Sequence, residues 1–113
     1  MTDCIFCQIA EHKMSAKIAY EDDEVVVFHD ISPQAPVHLL VIPRKHIARI
    51  SEMDAGDAKL VGHMIYTAKQ QAEKFNLANG YRLVFNNGRE GGQHVFHIHL
   101  HLLGGRPMHW PPG

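Results

Sequence analysis

The stretch His97-Ile98-His99-Leu100-His101-Leu102-Leu103 decides how this chain reads. Histidine alternates strictly with an aliphatic residue, and successive side chains on a β-strand point to opposite faces. On a strand spanning residues 94–103, Phe96, Ile98, Leu100 and Leu102 share one face, turned toward a helix. His97, His99 and His101 share the other, with neighbours roughly 6.5–7 Å apart. A row of imidazoles suits two kinds of chemistry: holding a metal ion, or handling phosphate and protons. Three consecutive positions on one strand fan apart, so a full metal site needs ligands from elsewhere. The phosphate reading gains from the loop that enters the strand. Residues 86–93 (NNGREGGQ) carry three glycines, Gly92 among them, which free backbone N–H groups to converge on an anion. Asn86 and Gln93 add side-chain donors there. A neutral imidazole is also a competent nucleophile toward phosphorus.

Outward from this strand, the helix is the plainest local signal. From about 55 to 75, Leu60, Val61, Met64, Ile65, Ala68, Ala72 and Phe75 recur at spacings of three and four. Asn79-Gly80 then reads as its stop. Residues 4–10 predict a short helical turn, with Ile5, Phe6 and Ile9 apolar. Residues 17–20, 24–29 (EVVVFH), 37–42 (VHLLVI) and 81–85 read as strands, and 32–36 (SPQAP) as an irregular link. The order is a short helix, three strands, a long helix and two strands. That predicts an α+β domain: a five-stranded antiparallel sheet backed by one long helix. A small sheet with one uncovered face also favours a dimer.

The chain has 113 residues, enough for one domain, and it shows no repeat or linker. Residues 1–113 therefore read as one unit, with 104–113 an extended tail. Eleven Lys+Arg against twelve Asp+Glu leave a net charge of −1, so no strong field draws it to nucleic acid or membrane. No apolar run approaches the roughly 18 residues of a membrane span. The start, Met1-Thr2-Asp3-Cys4, lacks a signal-peptide pattern, and a cytoplasmic location is expected. The anomaly is histidine: there are ten, five of them between His94 and His109, which concentrates the chemistry in about one seventh of the chain. Cys4-x-x-Cys7 leaves three readings open: a zinc half-site, a redox pair, or two small apolar helix residues. A redox pair normally follows a strand in a βαβ pattern that is missing here.

His97-Ile98-His99-Leu100-His101-Leu102-Leu103 resembles the His-φ-His-φ-His-φ-φ signature of the histidine triad (HIT) family. The resemblance extends to Phe28-His29-Asp30-Ile31-Ser32-Pro33-Gln34-Ala35-Pro36-Val37-His38. It reaches the ending Gly104-Gly105-Arg106-Pro107-Met108-His109-Trp110-Pro111-Pro112-Gly113, a hallmark of the Hint branch of purine nucleoside phosphoramidases. It implies an α+β fold whose homodimer joins two sheets into ten strands. It also implies hydrolysis of the P–N bond of purine nucleoside 5′-phosphoramidates through a nucleotidyl-histidine.

Carried over residue by residue, His99 is the nucleophile and His101 the phosphate contact, with His97 and His38 orienting His99. Asp30 takes the ribose hydroxyls. Ile5, Phe6, Ile9, Phe28 and Ile31 form an apolar slot for the purine. The segment also brings His29 to the nucleotide, although alternation turns its side chain away from those of Phe28 and Asp30. Asn86, Gly92 and Gln93 hold the phosphate, and Trp110 lies near the partner's site. His94 stands where the branch commonly has serine, placed to assist the departing amine. Bacterial members with an N-terminal Cys-x-x-Cys bind zinc, which here implies Cys4, Cys7, His46 and His97. With four protein ligands such an ion is structural, and no cofactor is required at phosphorus. Competing readings are a dinucleoside polyphosphate hydrolase or nucleotidyl transferase on the same triad, a nucleotide-binding adaptor with vestigial catalysis, and a histidine-rich metal store.

Overall fold

β-branched side chains are stiff at χ1 and pack well on a pleated surface, and the run Val25–His29 sits near the middle of a sheet. In the computed structural model, which describes residues 3–113, the order is α1 (Ile5–Ala10), β1 (Ile18–Glu21), β2 (Val25–His29), β3 (Val37–Pro43), α2 (Ala58–Lys74), β4 (Tyr81–Phe85) and β5 (Leu100–Gly104). Two single 3-10 turns, Ile50–Glu52 and Ala55–Asp57, precede α2. The five strands lie in the order β1-β2-β3-β5-β4, every neighbouring pair antiparallel. This is the expected α+β fold.

Alternation sorts the sheet's side chains into two layers. Val25, Val27, Leu39, Val41, Leu100 and Leu102 face α2 and meet Met64, Ala68 and Ala72. Val26, Phe28, Leu40 and Ile42 face the other way, against Phe6, Ile9 and Ala10 of α1. Burying each such aliphatic side chain stabilises the fold by about 1.5–3 kcal/mol. α1 is too short to cover its face, so the β3–β5 end of that face stays open for chemistry.

Three local expectations need correcting. The helix begins at Ala58, because Asp54 and Asp57 form a reciprocal capping box that closes the preceding 3-10 turn. It stops at Asn76, whose φ of 62° is left-handed, with Leu77 N–H donating back to Ala72 O. Asn79-Gly80 lies beyond that stop. The last strand is ordered as ladder only from Leu100, and its end reaches Gly104, so the tail starts one residue later. Continuing the β3–β5 register would bring Ile98 opposite Pro43, which has no N–H to donate. Ile98 N–H turns instead to Ile47 O at 2.8 Å. Phe96 consequently leaves the helix face; it is 39% exposed and lies under the Arg49 guanidinium at 4.9 Å.

A second anchor ties α2 to the β1–β2 turn. Asp22 accepts from the N–H groups of Glu24 and Val25 and from Tyr20 Oη, and it pairs with His63 at 2.8 Å. Burial raises the Asp22 pKa, but these hydrogen bonds outweigh it and hold the carboxyl at about 2. A carboxyl depressed on folding stabilises above its unfolded pKa, and the benefit fades as pH falls toward 2. Asp22→Asn is expected to cost about 2 kcal/mol at neutral pH. In chemical denaturation the gap to wild type should close between about pH 4 and pH 2. Among the described residues no helix is long and apolar enough to cross a membrane.

Candidate active site

Asp30 at the end of β2, His38 on β3 and His101 on β5 project from the face opposite α2. His101 pairs across the ladder with Leu40, and His38 with Leu103. His99 lies just before β5 and is buried, with the Phe6 ring edge-on at 5.1 Å. The His99 and His101 rings are 5.0 Å apart, and those of His38 and His101 are 5.2 Å apart.

Hydrogen bonds fix the tautomer of each ring. A carbonyl only accepts, so His99 Nδ1 carries a proton and donates it to His97 O at 2.9 Å. Its Nε2 then holds a bare lone pair. Gln34 N–H donates to His38 Nδ1 at 3.0 Å, so the His38 proton sits on Nε2 and goes to His101 Nδ1 at 2.9 Å. His101 is left with an Nε2–H donor. Burial pushes the pKa values of His99 and His38 down, and that of His101 to about 4. All three are therefore neutral at neutral pH. The face presents one bare nitrogen beside one N–H donor, which suits attack on a phosphorus whose oxygen is held alongside.

The ring of His97 does something else. It is fully buried, and its Nε2–H donates to Pro43 O at 2.7 Å. Its Nδ1 lone pair faces Cys4 Sγ and Cys7 Sγ, both at 3.4 Å, and His46 Nδ1 at 3.2 Å. Cys7 Sγ and His46 Nδ1 are 3.3 Å apart. Around a tetrahedral ion, bonds of about 2.05 Å to nitrogen and 2.3 Å to sulfur give edges of about 3.3 Å (N···N) and 3.5 Å (N···S). These four atoms can hold a metal ion. Cys4 caps α1 and Cys7 lies one turn later, so the helix start sets the sulfur pair. Asp30, His38 and His101 also cluster closely. Both His38 nitrogens are committed, however, so a cation there would have to strip the Nε2 proton.

The orienting roles differ from expectation. His97 orients His99 through its carbonyl and not its ring, and His38 touches His101, not His99. His29 packs on Phe75, rings 5.7 Å apart, on the α2 side of the sheet, and so leaves the nucleotide face. Gln93 is a staple and not a phosphate donor. It is buried, gives its amide protons to Ala48 O and Val95 O, and accepts from Gly88 N–H. Gly92 and Gln93 N–H groups close turns onto Arg89 O and Gly88 O, so neither is aimed at an anion. Gly91 lets the loop close, since a Cβ there would lie 2.4 Å from Asn87 O.

Phe6, Ile9 and Phe28 form a packed floor, while Ile31 is 100% exposed and Ile5 43% exposed. Asn86 is half-buried just after β4. His94 is exposed. Trp110 is 82% exposed and lines a hollow of about 540 Å³ along β4, where Arg82 donates to His109 O. The sequence reading missed the Gln34 N–H and the Pro43 carbonyl. Both are backbone groups, which leave no residue-type signal.

Fold and face together define a small α+β protein with a histidine-lined sheet face and a Cys2His2 cluster beside it, next to α1. The HIT domain model matches residues 11–108, and the chain belongs to that family. It is 49% identical over 111 residues to an uncharacterised HIT-like protein of Synechocystis sp., covering 98% of this chain and 97% of that one. A HIT family hydrolase from Legionella pneumophila superposes with a TM-score of 0.97 at 51% identity, covering 98% and 100% of the two chains. A histidine triad nucleotide-binding protein from Candida albicans gives a TM-score of 0.83 at 28% identity, covering 96% and 83%.

Proposed function

We propose that this chain is a phosphoramidase that hydrolyses the P–N bond of purine nucleoside 5′-phosphoramidates. The bare Nε2 of His99 beside the Nε2–H of His101 carries this reading. His99 Nε2 attacks the α-phosphorus, forming an N–P bond as the P–N bond to the amine breaks. The amine leaves with one added proton, given by His94 or, in its place, by solvent. Positive charge grows on the imidazole, which strengthens its Nδ1–H bond to His97 O. Water then attacks phosphorus, loses one proton to solvent, and His99 departs neutral with the nucleoside monophosphate released. His101 stabilises the charged phosphoryl oxygens in both steps. Asp30 takes the ribose, and the base rests against Ile5 and Ile31 over the Phe6–Phe28 floor.

The donor set of two thiolates and two imidazoles suits zinc, held by Cys4, Cys7, His46 and His97. Four protein ligands leave no open position, so the ion would brace the fold and take no part at phosphorus. We take residues 1–113 as one cytoplasmic domain that acts as a homodimer. The free edge of β4, with Tyr81 and Trp110 exposed beside it, supports a ten-stranded sheet.

Steady-state hydrolysis of a panel of AMP-amines tests the activity, with nucleoside monophosphate and free amine as products. Cleavage of dinucleoside polyphosphates but no AMP-amine would overturn the leaving-group class. Binding of nucleotide without turnover would leave an adaptor. The same panel tests His94 as proton donor to the amine. His94→Ser should stay near wild type, whereas His94→Ala should slow alkyl-amine substrates about tenfold or more, with good leaving groups little changed. Equal slowing across the panel would make His94 a phosphate-positioning residue instead.

A further inference from the structure

We infer that the Cys4/Cys7/His46/His97 cluster positions the nucleophile, with His97 as the shared part. This rests on the His99 reading above and adds a control of that site. The backbone carrying His97 and His99 belongs to no strand, since β5 begins only at Leu100. What holds it is the backbone hydrogen bond from Ile98 N–H to Ile47 O together with the His97 ring. His46 and His97 are the residues immediately before the two partners in that bond. Ligation of both to one ion therefore clamps the crossing of the two segments. The same His97 supplies the carbonyl that takes His99 Nδ1–H and keeps Nε2 bare. Ring and carbonyl of one residue so link the metal cluster to the attacking nitrogen. Loosening the ring frees that carbonyl to shift, and His99 can then exchange tautomers or rotate. Asp30 and Ile31, which the reading gives to the nucleoside, are not part of the clamp, whereas Ile5 rides on α1 with Cys4 and Cys7. The expected signature is a loss in kcat that exceeds any rise in KM.

The test compares the full chain loaded with Zn²⁺, stripped by a chelator, and titrated back with Zn²⁺ alone. Nitrogen NMR of ring-labelled histidine reads the His99 tautomer directly, whatever the substrate. The loaded protein should show His99 protonated on Nδ1 and bare on Nε2. The stripped protein should show averaging of the two forms. On stripping, kcat for an AMP-amine should fall about tenfold or more, a larger factor than any rise in KM. An unchanged His99 signature across the titration would overturn the coupling, as would a chain that takes up no Zn²⁺. A loaded protein that cleaves no AMP-amine would sink the phosphoramidase reading alone, because the ring signature still decides the coupling. Where stripping unfolds the chain, His46→Gln carries the test, since His46 is the exposed ligand. In that variant the His99 signature should follow Zn²⁺ occupancy, shifted to higher concentration. A flat signature there would also overturn the inference.

Discussion

His99→Ala is expected to lower turnover of AMP-amines by about 10³-fold or more while nucleotide still binds. The size follows from the role: no other ring on this face offers a bare nitrogen at phosphorus. His101 presents an N–H, because His38 occupies its Nδ1, and the His97 lone pair points into the cysteine cluster. Water cannot simply replace the imidazole, since the two-step route depends on a nucleophile that also leaves well. Binding should survive, because Asp30 and the apolar floor are not built on His99. Calorimetric titration with AMP and steady-state rates on the same preparation separate the two quantities. Wild-type turnover in His99→Ala would remove the nucleophile assignment. Loss of both binding and turnover would show that the substitution collapses the pocket. His99→Gly with added imidazole then distinguishes the cases, since partial recovery of rate requires an intact pocket with a missing nucleophile.

The sheet was legible because its strands are short β-branched runs bounded by Pro, Asp and Gly. Tyr81–Phe85 matches to the residue. α2 was legible from its apolar spacing, but its ends were set by chemistry that spacing does not carry. Asp54 and Asp57 cap each other before the helix, and Asn76 adopts a left-handed turn that Gly80 was expected to supply. The misread strand at 94–99 is the instructive case. Alternation from Phe96 onward is perfect, yet a ladder needs a partner with an N–H, and Pro43 has none. Local pattern gave the faces of Ile98, Leu100 and Leu102 correctly and missed that the backbone had left the sheet.

The same limit governs the site. Residue types and their period placed His99 and His101 side by side. The tautomers depend on backbone groups of Gln34 and His97, which no side-chain pattern records. Gln93 reads as a donor from its chemistry, and only the fold reveals that its three polar bonds are already taken by Gly88, Val95 and Ala48. His29 illustrates the converse. Its parity on β2 already pointed away from Asp30, and the packing on Phe75 agrees with that parity against the motif.

Cys4→Ser with Cys7→Ser is expected to abolish metal binding and lower the melting temperature by roughly 10 °C or more. Elemental analysis of the wild type, purified without a His-affinity step, should find about one zinc per chain. The cluster joins parts of the chain that are far apart in sequence. Cys4 and Cys7 belong to α1, His46 follows β3, and His97 precedes β5, so the sulfurs and imidazoles meet over sequence separations of up to 93 residues. Such a cross-link removes much of the freedom of the unfolded chain, while α1 alone is a six-residue helix with no stability of its own. Serine cannot offer a soft anionic ligand, so the buried His97 and the exposed His46 lose the ion they would share with the sulfurs. Each kcal/mol lost shifts the midpoint of a domain this size by about 4 °C, so a loss of a few kcal/mol is readily measured. Metal-free wild type of unchanged stability would leave Cys4 and Cys7 as ordinary helix residues. A double variant that keeps its zinc would move the metal elsewhere among the ten histidines.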